Sequence, residues 1–147
     1  MYLPMSITFA VAATIINLWL SMRIGKLRVS EKVLHGDGGV PMVAKRMRAH
    51  SNFSEYTPYV LILFALVEMA MGSQSWLWLF AAAYLAGRIL HAIGMDADFP
   101  SKLRMVGIAL TFIVTLALCV TGIYAVYTGG QNNVSVHTLE PLPSAAR

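Results

Sequence analysis

The sequence has little cysteine and little charge. Its one cysteine, Cys119, lies among apolar neighbours, so no internal disulfide is possible and a buried apolar role suits it better than a catalytic thiol. Charged residues make up 12% of the 147 residues, against about a quarter in soluble domains, and hydrophobic residues make up 57%. A soluble domain of this length could not bury so much apolar surface. We therefore expect one domain with lipid as its solvent.

Positive charge is present, but it is confined to two short segments. The net charge is +4, and nine of the 11 lysines and arginines lie in these segments. The nine are Arg23, Lys26, Arg28, Lys32, Lys45, Arg46, Arg48, Lys102 and Arg104. No basic face interleaved with aromatic residues accompanies them, so nucleic acid is not an expected partner. Basic residues beside apolar spans set membrane orientation instead.

Long runs without charge predict the membrane spans. Residues 1–22 carry no charge, and about 20 residues of helix cross a hydrocarbon core of about 30 Å. Positive charge follows this run instead of preceding it, which is typical of a retained span and not of a signal peptide. The sequence predicts an all-α, integral membrane four-helix bundle with helices at about 3–28, 41–71, 76–94 and 102–127. These helices form one domain, residues 1–127, followed by a polar, flexible tail at 128–147.

The same basic residues predict the orientation. They lie in or beside the connectors between the first and second and between the third and fourth helices, whereas the other connector and the N-terminus hold none. Basic connectors remain in the cytosol. Both termini are therefore expected to face away from the cytosol.

Polar residues recur along one side of the second helix. Lys45, Arg48, Asn52, Glu55 and Tyr59 fall within an arc of about 80° at 100° per residue. An ionisable residue at mid-span costs about 2.5–3.5 kcal/mol to insert, so such a row indicates a function.

The third helix carries a similar row, and the fourth helix begins with an arginine. The row consists of Tyr84, Arg88, His91 and Met95, and the arginine is Arg104. On the predicted topology, Arg88, His91 and Arg104 lie at the depth of the polar row on the second helix. The polar groups therefore converge in the cytosolic half of the bundle.

Two interpretations of this convergence remain open. Glu55 could pair with Arg48 or Arg88 and staple the helices together, and His91 could be an ordinary interhelical hydrogen-bonding residue. Alternatively, the arginines bind carboxylates through bidentate hydrogen bonds, Glu55 binds an ammonium group, and Asn52 both donates and accepts. The ligand is then a small zwitterion with two carboxylates and one amine, which is the charge pattern of glutathione.

Three segments resemble the MAPEG family (membrane-associated proteins in eicosanoid and glutathione metabolism). Residues 46–58 (RMRAHSNFSEYTP) contain an arginine, an asparagine four residues on, a glutamate three further, and then a proline. The runs 87–91 (GRILH) and 102–104 (KLR) follow in the expected order. The resemblance covers about residues 5–127. It implies a four-helix bundle that assembles as a homotrimer and binds glutathione, its co-substrate, between neighbouring subunits.

The resemblance also implies roles for single residues. Arg104 matches the arginine thought to stabilise the glutathione thiolate, and Arg23 resembles a basic residue that reaches the tripeptide from the adjacent subunit. Taken with the polar rows, the predicted glutathione-binding residues are Arg48, Asn52, Glu55, Tyr56, Tyr59, Arg88, His91 and Arg23. No metal is predicted.

Two departures narrow the expected activity. Met95 and Met105 stand where prostaglandin-synthase-like members have a tyrosine and a serine. We therefore expect a membrane-bound glutathione transferase or glutathione-dependent peroxidase that acts on lipophilic small molecules, in a bacterial inner membrane and in contact with its lipids. A non-catalytic lipid-binding scaffold of the same family is the alternative. A small multidrug exporter is a further one, although such exporters depend on a carboxylate in the first span and residues 1–22 have none.

Overall fold

The computed structural model describes residues 2–97 and 101–137, with side chains as far as residue 129. These residues form four helices: α1 (Pro4–Ser30), α2 (Pro41–Met71), α3 (Trp76–Gly94) and α4 (Lys102–His137). All four are long and apolar enough to cross a membrane. The prediction of an all-α chain with four membrane-spanning helices is confirmed at this level.

Local sequence explains several of the helix ends. Pro4 and Pro41 lie in the first turns of α1 and α2, where the backbone N–H that proline lacks would have no helical partner. Gly72 follows α2 with a φ of +78°, which glycine adopts without strain. α2 and α3 have the bounds expected from the sequence.

α4 is longer than expected. The sequence predicts a flexible tail from residue 128, but the helix continues to His137. Residues 128–137 are polar and rich in glycine and asparagine, yet they contain no proline. Nothing therefore interrupts the backbone hydrogen bonds that propagate from the preceding span. Residues 138–147, the remainder of the predicted tail, lie outside the described residues.

Aromatic rings from three helices meet in the core. Phe9 of α1 packs edge-on against Phe64 of α2 and Tyr84 of α3, with centroid separations of 5.0 and 5.6 Å. Such edge-to-face contacts add to the stabilisation that burial provides. They hold Tyr84 where its hydroxyl lies 3.1 Å from the hydroxyl of Thr57 on α2.

α3 and α4 approach each other through glycines. A methyl group placed on Gly107 would lie 2.5 Å from both the carbonyl oxygen of Gly87 and the backbone nitrogen of His91. A methyl group on Gly94 would collide with the backbone nitrogen of Arg104. Small residues at a crossing let membrane helices pack closely. This close crossing brings the polar row of α3 against the first half of α4.

Candidate functional site

Arg88 lies at the centre of a polar cluster formed by α2, α3 and α4. It is 2% exposed. Its Nη2 donates to Oδ1 of Asn52 across 2.8 Å, and its Nη1 donates a longer hydrogen bond of 3.5 Å to Oγ1 of Thr111. The guanidinium carbon lies 5.8 Å from the ring centroids of both Phe53 and Tyr56, within the range of a cation–π interaction. Four side chains from two helices thus hold the guanidinium.

A small cavity adjoins this cluster. Its volume is about 70 Å³, and it is lined by Asn52, Tyr56, Arg88, Ile108, Thr111 and Phe112. A space of this size admits one polar group or a few waters, but not a whole tripeptide. A tripeptide bound beside this cluster must therefore lie mostly outside the helical core.

His91 lies one turn from Arg88, toward the end of the bundle that holds residues 31–40 and 95–97. We call this the basic end. His91 is 3% exposed, and its Nδ1 has no hydrogen-bond partner among the residues that the structure describes. A buried nitrogen without a partner is uncommon in native proteins. His91 thus lies buried on α3 beside Arg88, and its role as a glutathione-binding residue stays a prediction.

Arg48, Glu55 and Tyr59 of the α2 row point away from the helical core. The side chains of Arg48 and Glu55 are 68% and 50% exposed, and Arg48 Nη1 lies 3.9 Å from Glu55 Oε1. Ser51 donates a hydrogen bond of 2.8 Å to the same oxygen. Tyr59, one turn further along α2, is 76% exposed. We call the exposed residues Arg48, Ser51, Glu55 and Tyr59 the outward row.

A separate ion-pair network lies at the basic end. Arg23 of α1 pairs with Asp96, beyond the end of α3, and also donates to the carbonyl oxygen of Ala92 across 3.5 Å. Arg46 of α2 pairs with the same carboxylate across 3.3 Å. The Arg23 guanidinium carbon lies 4.7 Å from the ring centroid of Trp19. Through Asp96, Arg23 therefore links α1 to α2 and to the end of α3. None of these contacts involves Arg88.

Arg104 is exposed near the start of α4. Its backbone packs against Gly94, while its side chain has no ion pair or hydrogen bond with any residue that the structure describes. Its guanidinium is thus available at the basic end of α4.

Of the residues predicted for the site, Asn52 and Tyr56 both contact Arg88. The outward row and Arg104 stand on open surface. Sequence reasoning missed Thr111, which completes the Arg88 cluster from α4. The available signal was its position as the first hydroxyl residue of the fourth span, two turns after Arg104.

The fold and this cluster define a four-helix membrane protein with a buried polar centre and an outward polar row on α2. The chain belongs to the MAPEG family: the family model matches residues 6–124, so the predicted membership is confirmed. The chain is similar to the Inner membrane protein YecN of Escherichia coli strain K12, with 27% identity over 120 residues. The aligned region covers 81% of this chain and 90% of that protein, and YecN of strain O6:H1 matches equally well. Family membership supports a membrane role related to glutathione.

Proposed function

We propose that this protein is a membrane-bound glutathione transferase that also reduces lipophilic hydroperoxides with glutathione. The observation that carries the proposal is the outward row. Glu55 is the fifteenth of the 31 residues of α2, where the polar first half of the helix meets its apolar second half, so a half-exposed carboxylate stands at the edge of the apolar span. Charged groups that face lipid are expensive. A polar ligand and a covering subunit would remove that cost, and family membership supports glutathione as the ligand.

The assembly we propose is a homotrimer with glutathione between subunits. The outward row of one protomer is then covered by a neighbouring protomer. Arg48 binds a glutathione carboxylate, Glu55 binds the ammonium group, and Tyr56 and Tyr59 contribute hydroxyl groups. The Arg48–Glu55 distance of 3.9 Å is long for an ion pair, so both groups keep capacity for a ligand. In this assembly Arg23 contacts the glutathione bound to a neighbouring subunit only if its ion pair with Asp96 breaks.

Arg104 is proposed to stabilise the glutathione thiolate. A free thiol has a pKa near 8.5 and is mostly protonated at pH 7. A guanidinium beside the sulfur favours the charged form, and the proton goes to solvent.

The thiolate then attacks an electrophilic carbon: a sulfur–carbon bond forms, and the leaving group departs with the electrons of the bond that breaks. With a hydroperoxide, the sulfur takes the terminal oxygen and releases an alcohol, and a second glutathione converts the sulfenic acid to a disulfide and water.

We place the protein in the bacterial inner membrane, with both termini away from the cytosol and the site toward it. The similarity to YecN supports the location. The nine basic residues near the connectors support the orientation, because cytosolic segments are enriched in lysine and arginine. The lipophilic substrate would enter from the bilayer.

A non-catalytic scaffold is the second candidate, because pairing within the protomer already accounts for several polar groups. Arg88 Nη2 donates to Asn52, and Glu55 accepts from Ser51. A scaffold of this kind would bind glutathione or lipid without turnover.

Turnover by the purified protein in mild detergent separates the two candidates. A panel of aryl halides and lipid hydroperoxides would be assayed with and without glutathione. The proposal expects glutathione-dependent rates above the uncatalysed reaction for at least one class. Folded protein that binds glutathione but accelerates nothing in the panel would favour the scaffold.

A further inference from the structure

The atom that Asn52 presents to Arg88 can be identified from chemistry alone. A guanidinium carries only hydrogen-bond donors. The Asn52 atom that lies 2.8 Å from Arg88 Nη2 is therefore the amide oxygen. The amide NH₂ group must then point elsewhere.

Arg88 is buried and held through its two terminal nitrogens, whereas its buried Nε has no hydrogen-bond partner among the described residues. It is 2% exposed and lies against the rings of Phe53 and Tyr56. Its second partner, Thr111, is itself fixed by donating to the carbonyl oxygen of Gly107 across 2.8 Å. If the guanidinium rotated within this site it would lose both hydrogen bonds while its charge stayed buried, which carries a large penalty.

The Asn52 amide nitrogen has no acceptor among the residues that the structure describes. Asn52 is partly exposed, and it lies on α2 between Arg48 and Glu55. The oxygen accepts a charge-assisted hydrogen bond, which polarises the amide and strengthens its N–H groups as donors.

We propose that Arg88 is a positioning residue that fixes the Asn52 amide as a donor, so that the glutathione group bound there is a carboxylate or peptide carbonyl oxygen. The inference rests on the proposed glutathione function and deepens it. The ammonium group of glutathione then lies at Glu55, one turn further along α2. The order of these two contacts fixes the orientation of glutathione along the helix. Arg88 acts through Asn52 and does not itself contact the ligand.

Asn52→Asp tests the polarity of the site. An aspartate keeps an oxygen for Arg88 and turns that contact into an ion pair, so the thermal midpoint should be retained. Its second oxygen replaces the NH₂ group and repels an acceptor. Glutathione affinity, measured by calorimetry, should fall by at least about tenfold. Affinity that is unchanged or tighter in this folded variant would overturn the inference, because it would mean that Asn52 does not donate to the ligand.

A double-mutant cycle tests whether Arg88 acts through Asn52. Arg88→Gln should raise the KM for glutathione, and Arg88→Lys, which still donates to the amide oxygen, should restore part of the loss. In an Asn52→Ala background, Arg88→Gln should have little further effect, because residues that act as one unit are not additive. Additive losses would show a direct contact with the ligand and overturn the positioning role.

The wild-type measurement separates this inference from the function on which it rests. If the wild-type trimer does not bind glutathione, the proposed function fails and takes the inference with it. If the wild type binds and Asn52→Asp binds equally well, only the inference fails.

Discussion

Glu68, near the end of α2, holds Ser6 in the first turn of α1. Its carboxylate accepts from the Ser6 backbone nitrogen across 2.8 Å and from the Ser6 hydroxyl across 2.5 Å. The Met5 backbone nitrogen and the Ser73 hydroxyl also donate to it, across 3.2 and 2.7 Å. The first turn of a helix has N–H groups without helical partners, and negative charge is favourable there. A buried carboxylate on one helix thus caps another.

Glu68→Gln should lower the thermal stability of the protein. The amide has one accepting oxygen instead of two, so at least one backbone N–H of α1 loses its partner, at a cost of about 1–3 kcal/mol. Circular dichroism during heating in detergent measures the effect. Glu31→Gln, at an exposed glutamate beyond the end of α1, is the matched control and should be neutral. Equal midpoints for the two variants would contradict the capping role.

Gly107→Ala should loosen the crossing of α3 and α4. The new methyl group would meet backbone atoms of Gly87 and His91 at 2.5 Å, and backbone cannot move aside as a side chain can. Overpacking of this kind costs about 1–3 kcal/mol. Gly122→Ala on the same helix is the control, because its nearest neighbour is a Leu63 methyl group at 3.5 Å. A thermal midpoint that falls for Gly107→Ala and not for Gly122→Ala is the expected result, and the reverse order would contradict it.

Much of the fold follows from the sequence because only long apolar helices can cross the hydrocarbon core of a bilayer. Runs without charge must span it, and Pro41 and Gly72 mark the two ends of α2. The extension of α4 to His137 was missed because polar and glycine residues weaken a helix without ending it.

The site was predictable in part. Helical periodicity places Asn52 and Arg48 on the same side of α2. It does not determine which of the two residues contacts α3. The structure puts Asn52 against Arg88 and leaves Arg48 outside. The pairing of Arg23 with Asp96 joins residues 73 apart, and no local pattern encodes such a contact.

Arg48→Ala and Glu55→Ala should each weaken glutathione binding by at least about tenfold, because each removes one partner of a ligand charge that is desolvated on binding. Calorimetry on the folded variants measures the affinity. Lys26→Ala, which removes a positive charge at an exposed residue of α1, is the control for Arg48→Ala and should leave affinity unchanged. Wild-type affinity in both site variants would argue that the outward row does not bind the ligand.

Native mass spectrometry should detect a trimer released from mild detergents. The outward row is too polar to face lipid, and a neighbouring subunit is the proposed cover. A wild-type monomer in several mild detergents would contradict the proposed assembly.

The most direct test of the proposed chemistry is a pH titration of the thiolate ultraviolet absorbance of protein-bound glutathione. If Arg104 stabilises the thiolate, the bound thiol should titrate well below its free pKa of about 8.5. Arg104→Ala should raise that pKa by one or two units, which corresponds to about 1.4–2.7 kcal/mol, while glutathione affinity stays within a few-fold. Lys102→Ala, at the neighbouring exposed cation, should leave the titration unchanged. A thiolate signal fully retained in Arg104→Ala would contradict its role, and bound glutathione that titrates at its free value in the wild type would contradict thiolate activation altogether.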